Sequence, residues 1–147
     1  MGDIVVMIDR VYDAGPEAVF AALADYHGVR PRILPPEMTG YDLVEGGRGG
    51  GTRFRYQFHA TRKRVRQVDA AVTEPEPGRQ LLEADRGSSL RVFWNVADAA
   101  GGRSRVTVRV SWGGGAGVGG FFERRFAPGG IRRVYRTELD RLASALR

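Results

Sequence analysis

Cysteine is absent from the 147 residues, which excludes disulfides, thiolate nucleophiles and cysteine-based metal centres. Histidine is scarce too. His27 and His59 fall in different elements with no third histidine or spaced carboxylate pair beside them, so neither a zinc nor a non-haem iron site is expected. Lysine occurs once, at Lys63, against 22 arginines. The net charge of +6 is therefore an arginine charge, scattered along the whole chain, and it reads as coding bias more than as selection for a charged surface. No apolar run approaches the roughly 18 residues of a membrane span. The opening MGDIVVMIDR has acidic residues around a short apolar run and no small-residue cleavage site, unlike a secretory signal. A cytoplasmic location without a membrane span is expected.

What remains is ordinary for a globular chain: 42% hydrophobic and 27% charged residues, in a length that makes a single domain spanning 1–147 the expectation. Asp3 to Asp13, rich in Ile and Val, reads as a first strand. Ala14-Gly15-Pro16 then turns into a helix whose packing face is Val19, Phe20, Leu23 and Tyr26. His27 to Pro36 leaves room for at most a short second helix, ended by its proline pair. Tyr41 to Glu45 reads as a strand and the glycine cluster 46–51 as a tight hairpin. Neither Lys-Ser nor Lys-Thr nor a helical pattern follows that cluster, which argues against a phosphate-cradling loop. Thr52 to Thr61 alternates strictly, with Phe54, Tyr56 and Phe58 on one face and Arg53, Arg55, Gln57 and His59 on the other. Arg64 to Glu74, Arg79 to Asp85, Leu90 to Ala97 and Ser104 to Trp112 continue the series of strands. The last two set Leu90, Val92, Trp94 and Val96, then Val106, Val108, Val110 and Trp112, on the apolar face.

Strands joined by short Gly-rich or Pro-rich turns make an antiparallel meander with one wet, Arg-rich face and one apolar face. The cover for the apolar face has to be Val118 to Arg147. There Ile131, Val134, Tyr135, Leu139, Leu142, Ala143 and Leu146 recur at helical spacing, opposite Arg132, Arg133, Arg136, Asp140 and Arg141. Ala127-Pro128-Gly129-Gly130 is expected to break this helix, leaving Val118 to Phe126 as a separately moving lid and Ile131 to Leu146 as fixed core.

Three motifs carry a resemblance that covers nearly the whole chain. Asp13 to Phe20 contains an Ala-Pro-x-x-Val-Phe-like helix entry, and Val72 to Arg79 contains a Val-x-Glu-x-x-Pro-Gly-Arg hairpin. Gly117 to Arg124 with Tyr135 to Leu142 forms a Gly-rich entry and the body of a last helix. On these the sequence resembles small bacterial members of the SRPBCC superfamily, which includes START, Bet v 1-like and polyketide cyclase/dehydrase proteins. The resemblance implies an α+β helix-grip fold: a seven-stranded curved antiparallel sheet wrapped on a long kinked C-terminal helix, with two short helices between strands 1 and 2. It also implies an apolar cavity between sheet and helix. Family members bind lipids, sterols, hormones or polyketides there, and a minority catalyse cyclisation, dehydration or hydrolysis.

Ligand-contact candidates are therefore Phe54, Tyr56, Phe58, Trp94, Val108, Val110 and Trp112 on the sheet, and Phe122, Phe126 and Tyr135 on the helix. For each the alternative is plain core filling. Tyr56 and Tyr135 carry most information, because a buried phenol needs a partner. In a cyclase or dehydratase acting in the same cavity, Tyr56, Tyr135 or Asn95 would polarise a carbonyl; no residue is identified as catalytic. His59 falls on the wet face, and His27 follows the first helix in a position to cap it, an acid/base candidate only if it lines the cavity mouth. Serines at 88, 89, 104, 111 and 144 stand in turns, on the wet strand face or on a helix, and none lies in a Gly-x-Ser-x-Gly elbow. Glu74, Glu76, Glu83 and Asp85 read as solvated hairpin carboxylates paired with nearby arginines. Arg53, Arg55, Arg64, Arg66, Arg91, Arg105 and Arg109 make a basic strand face, but the aromatics lie opposite, so no stacking platform for nucleic acid is expected. The expected partner is a hydrophobic small molecule, lipid or polyketide-like, with no cofactor and no nucleic acid, for a monomer or homodimer.

Overall fold

The computed structural model describes residues 3–59, 65–113 and 128–147. Its first strand, β1 (Asp3–Tyr12), leads to α1 (Pro16–Leu23), which starts on a proline whose missing N–H would have no helical partner anyway. The second helix, α2 (Arg30–Ile33), follows. Next come β2 (Met38–Glu45), β3 (Arg53–His59), β4 (Val65–Thr73), β5 (Gln80–Asp85), β6 (Arg91–Ala99) and β7 (Arg103–Gly113), and then α3 (Pro128–Ala145). All seven strands pair antiparallel in one sheet, ordered β1-β7-β6-β5-β4-β3-β2. The meander thus runs from β2 to β7, and β1 closes on β7. This is the α+β helix-grip arrangement expected from the motifs.

Period-two alternation decides which side chains face inward. Phe54, Tyr56 and Phe58 of β3, Val68, Ala70 and Val72 of β4, and Leu81 of β5 are buried on one face. Val92, Trp94 and Val96 of β6 and Val106, Val108, Val110 and Trp112 of β7 extend the same face. Register shifts between β2 and β3, at Thr39/Asp42 and Leu43/Glu45, mark irregular pairing at that end of the sheet. The 46–51 turn is the expected glycine hairpin. Gly46 adopts φ +69°, and a Cβ there would lie 2.9 Å from the Thr52 Cα, so only glycine fits without strain. Backbone bonds from Tyr26 N to Gly47 O and from Gly49 N to Ala24 O, both 2.9 Å, fasten this hairpin to the α1–α2 connection.

Against the inward face, α3 buries Ile131, Val134, Tyr135, Leu139 and Leu142, while Arg132, Arg133, Arg136, Asp140 and Arg141 stay exposed. Each large side chain so buried contributes roughly 1.5–3 kcal/mol before ordering entropy is subtracted. Polar ties fix the helix laterally: Tyr12 Oη donates to Leu139 O at 2.7 Å, Arg132 Nη1 donates to Met7 O at 2.8 Å, and Arg141 donates to Leu34 O. The expected lid, Val118 to Phe126, with Phe122 and Phe126, lies outside the described residues, while Pro128, Gly129 and Gly130 of the expected break form the first turn of α3.

On the outer face, Asp69 accepts two bonds of 3.0 Å from Arg53, with Arg55 at 3.6 Å and Arg86 at 3.7 Å. Those arginines, led by the Arg53 hydrogen bonds, hold the Asp69 carboxyl below the usual carboxylate range. Two serines depart from expectation. Ser104 and Ser111 are buried, Ser104 because its Oγ donates to Ala14 O at 2.6 Å, tying β7 to the start of α1.

Candidate functional site

An ion cluster stands inside this apolar interior. Arg30, the first residue of α2, is 3% exposed, and its Nη1 lies 2.8 Å from Glu83 Oε2 of β5 and 3.0 Å from Leu23 O. Its Nη2 lies 3.6 Å from Glu138 Oε2 of α3. Tyr26 Oη donates to the same Glu83 oxygen at 2.6 Å. The guanidinium carbon sits 4.7 Å from the Tyr26 ring centroid and 4.9 Å from that of Trp94, so two aromatic faces flank the cation. One arginine thus joins α2, the sheet and the terminal helix.

Next to the ions, the phenols of Tyr56 and Tyr135 hydrogen-bond each other. A file of rings, Tyr26, Phe54 and Tyr56, runs along the sheet with centroids 5.1 and 5.9 Å apart. Tyr41 joins Phe54 at 5.5 Å, and Tyr135 meets Trp94 edge-on at 6.3 Å. Arg30 Nε and Trp94 Nε1 are buried without a hydrogen-bond partner among the described residues.

Electrostatics follow from two carboxylates sharing one guanidinium. Burial, reinforced by Glu83, pushes the Glu138 carboxyl up to about 7 against the pull of Arg30. Burial also works against the charge on Arg30, yet Glu83, Tyr26 and Glu138 together hold it firmly protonated. Burial raises the phenols of Tyr26, Tyr56 and Tyr135 well above their ordinary range, so all three are neutral hydrogen-bonding groups at neutral pH. Chemically, the cluster offers a fixed cation, a carboxyl that exchanges its proton near neutrality, neutral phenols and two N–H donors unpartnered among the described residues.

Of the residues expected to contact a ligand, Phe54, Tyr56, Phe58, Trp94, Val108, Val110, Trp112 and Tyr135 are all buried on the facing surfaces of sheet and helix. The structure gathers Tyr56, Trp94 and Tyr135 at the ion cluster. Asn95 is a correction: alternation turns it to the outer face, where its Oδ1 accepts from Gln80 Nε2 at 3.0 Å, away from the cluster. Glu83 and Asp85 are corrections as well. They are not solvated but 6% and 4% exposed, because β5 alternates Leu81, Glu83 and Asp85 inward. His27 is exposed and lines no part of the cluster, while His59 on the outer face meets Thr39 Oγ1 at 2.7 Å.

Arg30, Glu83, Glu138 and the Tyr26 hydroxyl are the residues that sequence reasoning passed over. A signal existed for Glu138, which continues the stripe Ile131, Tyr135, Leu142 at helical spacing, an acid where every neighbour on the face is apolar. Two grooves of about 250 and 230 Å³ flank β1 and α3, lined by Arg10, Tyr12 and Leu146 and by Met7, Arg132 and Arg136 respectively. Neither shares a residue with the cluster.

The sequence profile described as polyketide cyclase / dehydrase and lipid transport matches residues 4–147. The chain belongs to this family. Among solved structures, the KanY protein is 40% identical over 99% of both chains, with a TM-score of 0.88. The Zhui aromatase/cyclase from Streptomyces sp. R1128 is similar over 99% of this chain and 94% of its own, at 14% identity and a TM-score of 0.71. A START superfamily protein from Mycobacterium smegmatis is similar over 99% and 97%, at 12% identity and a TM-score of 0.70. The last two speak to the fold alone: this polyketide cyclase/dehydrase family chain shares the START-like fold that the motifs led us to expect. No protein of curated function matches it.

Proposed function

We propose that this family member binds a hydrophobic small molecule, lipid or polyketide-like, between the sheet and α3. The Arg30–Glu83–Glu138 cluster serves as its polar anchor. The observation that carries the reading is the pair of buried donors, Arg30 Nε and Trp94 Nε1, without a partner among the described residues in an interior lined mostly by rings and aliphatic side chains. Buried N–H groups are nearly always satisfied, and pockets for apolar ligands combine this kind of lining with a few convergent polar groups. Phe54, Tyr56, Phe58, Trp94, Val108, Val110, Trp112 and Tyr135 supply the apolar contact, together with Phe122 and Phe126 from the segment before α3. The test is mass spectrometry of denatured native preparations alongside thermal-shift screening with lipids and polyphenols. A co-purified apolar molecule, or a rise in Tm with one class, supports the reading; neither result arising counts against it.

A second reading, cyclase or dehydratase chemistry on a polyketide-like substrate, is favoured by Glu138. A carboxyl near 7 suits proton transfer at neutral pH, and in this reading the hydrogen-bonded Tyr56 and Tyr135 would polarise a carbonyl beside it. Turnover of a linear polyketone, abolished in Glu138→Gln while binding persists, would separate this reading from simple binding.

A further inference from the structure

Building on the ligand-binding reading, we propose that the ion cluster selects its ligand by charge, accepting a neutral aromatic ketone and rejecting the matching carboxylate. The donor side of the argument is Arg30 Nε–H and Trp94 Nε1–H, both buried and unpartnered among the described residues, on side chains whose guanidinium carbon and ring centroid are 4.9 Å apart. Two donors with no acceptor call for an acceptor atom, and a carbonyl oxygen has two lone pairs to meet them.

The charge side decides which acceptor. Arg30 is the one buried cation among the described residues, whereas Glu83 and Asp85 from β5 and Glu138 from α3 are all buried acids. Tyr26 from the α1–α2 connection, Tyr41 from β2, Tyr56 from β3 and Tyr135 from α3 face the same region as neutral phenols. The guanidinium is already matched by Glu83 at 2.8 Å and approached by Glu138 at 3.6 Å. A ligand carboxylate would bring one more anion to a single cation in a poorly solvated interior, where like charges repel strongly and lost hydration is not restored. A ketone asks only for the two hydrogen bonds. Glu83 and Glu138 are on this account the specificity-determining residues, and ionised fatty acids are excluded in favour of neutral carbonyl-bearing ring systems.

A matched pair tests this: 2-acetonaphthone and 2-naphthoate share a ring system and differ in a methyl ketone against a carboxylate. Their affinities are measured by displacement of the neutral dye Nile red from the full chain at about pH 8 and again at about pH 5.5, where the naphthoate is still ionised but Glu138 is protonated. The ketone is expected to bind at least about tenfold more tightly at the higher pH. The gap is expected to narrow at the lower pH, and to narrow at the higher pH in Glu138→Gln. Equal or tighter binding of the carboxylate at the higher pH overturns charge selection, as does a gap unchanged both by pH and by the substitution. If dye, ketone and carboxylate all fail to bind, the ligand-binding reading itself falls, an outcome distinct from lost selectivity.

Discussion

Glutamine at position 138 keeps the shape of the side chain and removes its charge, so it isolates what the carboxyl does to stability. In the folded chain burial and Glu83 lift this carboxyl from 4.5 to about 7, with Arg30 opposing. A folded pKa above the unfolded one means that the folded state keeps a proton which the unfolded state releases. The resulting stabilisation is fully present below about 4.5, declines as pH rises between the two values and is gone above about 7. At about 1.4 kcal/mol per pH unit, the swing is on the order of 3 kcal/mol. Urea unfolding of both proteins, at pH steps from about 4.5 to 8, gives the difference in free energy directly. Glu138→Gln should gain on the wild type by roughly 3 kcal/mol across that window, and titrating groups remote from the cluster cancel in the difference. Parallel pH profiles would refute the reasoning: they would mean that Arg30 at 3.6 Å keeps Glu138 ionised throughout.

Three further outcomes follow from the same geometry. Arg30→Met leaves Glu83 and Glu138 buried without their cation and should lower unfolding free energy by about 3 kcal/mol or more, recovered in part by adding Glu83→Gln, as chemical denaturation would show. Tyr135→Phe removes one phenol of the Tyr56 pair and should cost about 1 kcal/mol. The double change with Tyr56→Phe should cost less than the two singles together, since each single strands the other hydroxyl. Gly46→Ala, at φ +69° with its new Cβ 2.9 Å from the Thr52 Cα, should cost about 1 kcal/mol or more and loosen hydrogen exchange at Tyr26 N, which bonds to Gly47 O.

The architecture was legible because its signals are local and repeated. Phe54, Tyr56 and Phe58 alternate with charged or polar neighbours, and Ile131, Tyr135 and Leu142 keep helical spacing, so each face declares itself without knowledge of its partner. The ion cluster was harder to read because its members are far apart in the chain and look ordinary one at a time. Arg30 sits in a proline-flanked connector among many other arginines. Glu83 follows two adjacent leucines, Leu81 and Leu82, which leave the inward parity of β5 undecided until the register with β6 is known. Glu138 was the exception: an acid on an apolar stripe signals a buried partner, although not which one. Asn95 shows the reverse case. Its polar chemistry suited a carbonyl contact, but its parity beside Trp94 already placed it on the outer face.

The most direct test of ligand binding at the cluster uses the indole N–H resonances of Trp94 and Trp112, recorded as 2-acetonaphthone is added to uniformly 15N-labelled protein. If the ligand enters between the sheet and α3 and its carbonyl meets the unused donors, the Trp94 indole proton should move downfield as it gains a hydrogen bond. Its shift should saturate with the same affinity as Nile red displacement. Saturable binding that leaves the Trp94 indole unmoved, with shifts confined to the outer grooves near Tyr12, Leu146 or Arg136, would contradict the account.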